Sequence, residues 1–145
     1  MLGVILQSTE TIIRSFNQKG LKITPQRRLI VELLEADESH PTAEELYQRV
    51  ILLMPDVSQT TIYNTIRELV ALGELNPVDS LSETGVRFDT NTNNHHHLFC
   101  MHCHNLVDIE RDFQDIELAP EEIKEYQIIK NQVTFYGICK ECQEN

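Results

Sequence analysis

The four cysteines of this 145-residue chain fall into two Cys-x-x-Cys pairs, Cys100/Cys103 and Cys139/Cys142. No cysteine is left over, so whatever the second half folds into must accommodate both pairs. In an oxidising compartment they could be disulfides; in a reducing one, paired spacing of this kind favours a bound metal. The sequence points to the reducing case. The apolar stretch at residues 2–6 has no basic start and is too short for the core of a signal peptide. No run approaches the ~20 apolar residues that span a bilayer. The reading is a cytoplasmic protein with no membrane association. Four thiolates at ~2.3 Å from one ion make a closed tetrahedral zinc site, one that folds a chain and does not catalyse. The 35 residues between Cys103 and Cys139 exceed a compact zinc ribbon. The competing reading is two half-buried pairs of free thiols.

The first pair is preceded at once by three histidines, in NHHHLFCMHC. On a strand over 95–99, alternation puts His95 and His97 on one face and His96 on the other. Two imidazoles converging from one face form a chelating unit. Asp89 and Asp108 close neighbouring strand-like stretches, RFD and LVD, and each can bring a carboxylate to the same place. This second donor set is nitrogen and oxygen only. It suits iron(II), manganese(II) or zinc, whereas the thiolates suit zinc. The alternative is surface histidines with no ligand role. His96, His102 and His104 have no partner pattern and are read as non-ligands.

Residues 86–145 otherwise read as short strands around an acidic helix within DIELAPEEIKEY. So few large apolar residues build little core, and such a domain relies on metal and on pairing with a second copy. The first 85 residues have a different texture. Thr24 caps a helix over about 25–36, with Pro25 at its first position. Thr42 and Glu45 form a Thr-x-x-Glu capping box for a second helix, which Pro55 ends. Ser58 caps a third, which stops at Gly73. Two short strands, in ELNPVDS and TGVRFDT, follow across a polar loop. Three helices and a hairpin make a winged helix. The expected fold is therefore α+β: a winged-helix DNA-binding domain over 1–85 and a metal-binding dimerisation domain over 86–145.

In a winged helix the third helix enters the major groove. Its outward residues are Gln59, Thr60, Tyr63, Asn64 and Arg67, which can bond base edges or phosphates. Lys22, before the first of these helices, can reach phosphate or minor groove. A net charge of −11 excludes a generic nucleic-acid coat. Yet Arg14, Lys19, Lys22, Arg27 and Arg28 face only Glu10 in their stretch. One basic patch on an acidic body can still bind DNA specifically, although an ordinary solvated helix face has the same composition.

Taken together, GLKITPQRRLIVELL, HPTAEELY, SQTTIYNTIRELVALG, RFD, HHHLFCMHC, LVDIE and GICKEC resemble the Fur family of metal-dependent repressors, in family order and over nearly the whole chain. The resemblance implies a structural zinc at Cys100, Cys103, Cys139 and Cys142. It implies a regulatory iron(II) or manganese(II) site at His40, Asp89, His95, His97 and Asp108. His40 lies between the first two helices of the winged helix, so metal there would tie the two domains together. The partners implied are a second copy of the chain and a double-stranded, A·T-rich palindromic operator.

Within the family, Asp108 stands where iron-uptake regulators usually carry glutamate, and Asn64 where they usually carry arginine. These details resemble the peroxide-sensing branch. There, peroxide reacts with bound iron(II) and an oxygen is added to a ligand histidine; the matching residues are His40 and His95. Asn131 replaces a histidine that many members use in a further metal site, and His96 also departs from the common pattern. The expectation is a peroxide-responsive repressor, not an enzyme. The nearest alternative is a family member that senses iron or zinc concentration. A metal-dependent hydrolytic site and a zinc-stabilised protein-interaction module are the readings from other classes. The first lacks a clear general base. The second predicts no DNA affinity in any metal state.

Overall fold

The computed structural model describes residues 8–79, 85–93, 95–109 and 116–145. The apolar stretch at 2–6, the polar loop at 80–84 and the end of the LVDIE strand at Glu110 lie outside them. The chain divides into two compact units, residues 1–92 and 93–145.

The first unit begins with a helix that the sequence reading did not include. In α1 (Thr9–Gln18) the Ser8 hydroxyl accepts the Thr11 N–H at 3.3 Å. Its apolar face is Ile12, Ile13 and Phe16, with Phe16 completely buried. Three apolar positions over two turns give too short a period to stand out in the sequence. The other three helices form where their caps predict. In α2 (Pro25–Glu35) the Thr24 hydroxyl accepts the Arg27 N–H. In α3 (Ala43–Leu53) the capping box closes both ways: Glu45 N–H donates to Thr42 Oγ1 at 3.1 Å, and Thr42 N–H to Glu45 Oε2 at 3.0 Å. In α4 (Gln59–Ala71) Ser58 accepts the Thr61 N–H at 3.1 Å. Gly73 has φ +75°, a left-handed value that favours glycine, and ends the helical run.

The core of this unit joins Phe16, Ile30, Val31, Leu34, Leu46, Val50, Ile62 and Leu69 from all four helices. Two short strands complete the winged helix. β1 (Asn76–Val78) and β2 (Arg87–Asp89) pair antiparallel, with Asn76 opposite Asp89. The change of texture at residue 86 assigned the RFD strand to the second domain. Its ladder with β1 keeps it in the first, and the boundary falls at 92/93 instead.

The second unit is a three-stranded sheet in the order β4-β3-β5. β3 (His96–Cys100) runs antiparallel to β4 (Leu106–Ile109) and parallel to β5 (Thr134–Gly137). The acidic helix is shorter than its sequence suggests: α5 spans Pro120–Ile123, and Lys124 stops it at φ 52°. α6 (Lys140–Gln143) closes the chain. Part of one face of the sheet is an exposed apolar row. Val107, Leu98 and Phe135 stand side by side in register, each about half exposed. Among the described residues no helix is long and apolar enough to cross a membrane.

Candidate metal centres

The parallel pairing of β3 with β5 resolves the long spacing between the cysteine pairs. Cys100 lies opposite Gly137, and Met101 N–H donates to Gly137 O at 2.8 Å. The two strands therefore end side by side, and each turns into its Cys-x-x-Cys pair there. The first turn is tight: His104 N–H donates to Cys100 O at 2.9 Å, with His104 at φ 62°. The second is the start of α6, where Cys142 N–H donates to Cys139 O at 3.0 Å.

All four cysteines are free of disulfides, and their sulfurs lie within 4.8 Å of one another. Cys103 Sγ and Cys139 Sγ are 3.8 Å apart. Four sulfurs at ~2.3 Å from one ion would sit roughly 3.8 Å apart. The donor set therefore fits zinc.

The electrostatics fit as well. Backbone N–H groups of Cys139 and Cys103 point at Cys100 Sγ, at 3.4 and 3.5 Å, and bring its pKa down to about 5. Cys142 is pushed up to about 12, first by its contact with the Cys139 sulfur and then by burial. One thiolate is welcome here; four together require a cation.

The imidazole–carboxylate residues fall into two groups, one in each unit. In the first unit, Asp89 Oδ1 accepts the Asn91 N–H at 2.8 Å. Its other oxygen, Oδ2, lies 3.2 Å from His40 Nε2, and both side chains are only 4% exposed. In the second unit, His97 and Asp108 are direct register partners across β3 and β4. Asp108 Oδ1 lies 3.1 Å from His97 Nε2 and 3.0 Å from His95 Nε2. The two rings meet edge to face at 4.5 Å.

His95 is held through both ring nitrogens. Its Nδ1 is 2.7 Å from Asn93 O, a carbonyl that can only accept, so Nδ1 carries the proton. In the neutral ring Nε2 is then a lone pair, aimed at a carboxylate oxygen 3.0 Å away. Two lone pairs at that distance need a proton or a cation to hold them. Donor separations of 3.0–3.2 Å also match the roughly 3 Å between neighbouring ligands of an ion with ~2.1 Å bonds. These residues fit a nitrogen–oxygen metal site.

His96 and His104 make other contacts. His96 points away from His95 and His97 and accepts the Val133 N–H at Nδ1, 3.0 Å. His104 stacks on Phe99 at 5.9 Å. Asn131 donates to Ile116 O at 3.1 Å, holding two loop segments together. Besides the Asn91 and Asn93 backbone groups, two side chains that the sequence reading missed touch the candidate ligands among the described residues. Gln132 Nε2 lies 3.1 Å from His97 Nδ1. Arg87 Nη1 donates to His40 O at 2.9 Å. Strand alternation was a usable signal for Arg87, since it places residue 87 on the same face as Asp89.

On the first unit, Gln59, Thr60, Tyr63, Asn64 and Arg67 are all exposed along α4, and Lys22 is exposed ahead of α2. The basic patch is smaller than its sequence suggests. Arg28 pairs with Glu10 and Glu32, and Arg27 with Glu68.

Four capped helices with a hairpin, followed by a small sheet that gathers a thiolate cage and an imidazole–carboxylate cluster, define an α+β protein of the winged-helix metalloregulator class. The model of the ferric uptake regulator family matches residues 18–136, and the chain belongs to that family. It is 35% identical over 136 residues to the peroxide-responsive repressor PerR of Staphylococcus aureus, covering 93% of this chain and 91% of that protein. Among solved structures, the Streptococcus pyogenes PerR matches at 26% identity and a TM-score of 0.55, covering 93% of this chain and 92% of that one. The Helicobacter pylori ferric uptake regulator Fur, described as having three functional metal-binding sites, matches at a TM-score of 0.74 over 97% of both chains. At 22% identity, that likeness is one of fold.

Proposed function

We propose that the chain is a cytoplasmic, homodimeric, metal-dependent repressor of transcription that responds to peroxide. The observation that carries this reading is the coexistence of two donor sets of opposite character. Four sulfurs form a closed cage that suits a permanent zinc. Imidazole nitrogens and carboxylate oxygens at 3.0–3.2 Å suit an exchangeable iron(II) or manganese(II). Similarity to peroxide-responsive repressors supports the choice of signal.

In this mechanism His40 and Asp89 from the first unit and His95, His97 and Asp108 from the second serve as ligands of one regulatory ion. Ligands shared in this way favour one arrangement of the two units over all others. In a dimer, that arrangement sets the spacing of the two α4 helices, which must match the ~34 Å repeat of the major groove. The open row of Val107, Leu98 and Phe135 is apolar surface that a second copy can cover. Gln59, Thr60, Tyr63, Asn64 and Arg67 read base edges and phosphates of an A·T-rich palindrome, and Lys22 adds a phosphate or minor-groove contact.

Iron(II) held by these residues would catalyse the reduction of peroxide with a ligand imidazole as the net electron donor, so that one peroxide oxygen adds to the ring and the other leaves as water; manganese(II) would do so poorly. His40 and His95 are the residues expected to carry the added oxygen. An oxidised imidazole is a poorer ligand, so the two units lose their common tie and the operator is released.

The test is operator binding by fluorescence anisotropy, with manganese or iron and with or without peroxide. Binding should occur with either metal, be lost to peroxide only with iron, and coincide with a 16 Da gain on His40 or His95 in peptide mass spectra, the mass of one oxygen. Binding with iron that survives peroxide would replace this reading with that of an iron- or zinc-concentration sensor on the same ligands.

A further inference from the structure

Arg87 is 93% buried, being 7% exposed, and lies two residues before Asp89 on the same face of β2. Its Nη1 donates to the His40 carbonyl at 2.9 Å and lies 3.4 Å from Glu45 Oε2. The backbone around it is tied to the same stretch. Thr42 and Arg87 form a β-bridge, and Phe88 N–H donates to Pro41 O at 3.0 Å. Residues 40–42 therefore run alongside the strand that carries Asp89. His40 has φ 56°, a left-handed value that a non-glycine residue keeps only where its surroundings impose it.

We propose that Arg87 is a positioning residue for the regulatory site: its guanidinium clamps the His40 carbonyl, so that the strained backbone presents Nε2 beside Asp89 Oδ2 before metal arrives. The inference rests on the reading of His40 and Asp89 as metal ligands. Stability alone is a weak reason for such a group. A buried guanidinium loses much of its hydration, and an apolar side chain of similar length often serves as well. Its Nε finds no hydrogen-bond partner among the described residues. What Arg87 supplies is geometry, a planar guanidinium whose Nη1 ties the strand of one ligand to the backbone of the other. The same Nη1 also reaches Glu45 Oε2, and Glu45 closes the capping box of α3, so the tie to His40 is anchored to the start of that helix.

Charge gives the test its sign. Removing a cation from beside a cation site should, by Coulomb attraction and repulsion alone, tighten binding of a divalent ion. Loss of positioning should weaken it, because partners of metal ligands typically affect affinity by about 10–100-fold.

The experiment uses the full zinc-loaded chain. Manganese(II) affinity is measured by electron paramagnetic resonance, and folding by thermal unfolding and zinc content, for the parent, Arg87→Met, Arg87→Lys and His40→Ala. The expected result is that Arg87→Met folds and keeps its zinc but binds manganese at least about tenfold more weakly. Arg87→Lys, which retains one donor toward His40 O, should recover part of the loss. Unchanged or tighter binding by folded Arg87→Met overturns the clamp. Should Arg87→Met not fold, Arg87→Lys decides: weaker binding at an unchanged melting temperature supports the clamp, and parent-like binding overturns it. If His40→Ala binds manganese as the parent does, the ligand reading fails and the clamp fails with it. A loss in His40→Ala with none in Arg87→Met removes the clamp alone.

Discussion

Cys100 and Cys142 sit in one cage yet hold their protons very differently. Backbone N–H groups at Cys100 favour its thiolate, so it is ionised above about pH 5. Cys142, against the Cys139 sulfur, stays protonated up to about pH 12 in the absence of metal. Zinc requires thiolates, so at neutral pH its binding must expel the Cys142 proton, while Cys100 has none to give. Zinc affinity should therefore rise with pH through neutrality. Calorimetric titration of the metal-free protein at pH 7, in buffers of different ionisation enthalpy, should show net proton release. Zinc uptake with no proton released would mean that the cage is already ionised, against this account. None of this asymmetry was legible in the sequence, where the four cysteines look equivalent. It arises from the backbone N–H groups that the turns aim at Cys100 and from the Cys139 sulfur set against Cys142.

Helix starts were the most legible elements, because a cap is a local device. Thr24, Thr42 and Ser58 each bond the N–H three residues on, as their spacing predicts. Thr42→Ala removes one half of a reciprocal box and should cost about 1 kcal/mol of folding stability, measured by urea denaturation. A change within error would show that the Thr42 and Glu45 hydrogen bonds add nothing to what α3 gains from packing. α1 went unseen because its burial depends on packing outside its own stretch, Phe16 joining a core shared with α2, α3 and α4. Strand partnerships were legible only in part. Alternation put His95 and His97 on one face, but the direct opposition of His97 and Asp108 depends on the β3–β4 register. The meeting of the two cysteine pairs depends on a parallel pairing across more than thirty residues. No local pattern encodes either; donor types and strand alternation suggested which residues would meet, and the resemblance to a family added His40 to them.

At the scale of the molecule, the proposed mechanism needs one ion for each kind of donor: zinc in the thiolate cage, and an exchangeable ion on the nitrogen–oxygen ligands. The acidic body and the small basic patch agree with a protein that binds one DNA sequence well and most DNA poorly. All of the proposed switching depends on the ligands of the two units acting on a single ion. The most direct measurement is anomalous diffraction at the manganese absorption edge from crystals of the zinc-loaded protein soaked in manganese(II). The account predicts one manganese peak per chain outside the cysteine cage, bonded to His40, Asp89, His95, His97 and Asp108. A peak bonded to the residues of one unit only, or none beside these histidines, would contradict it.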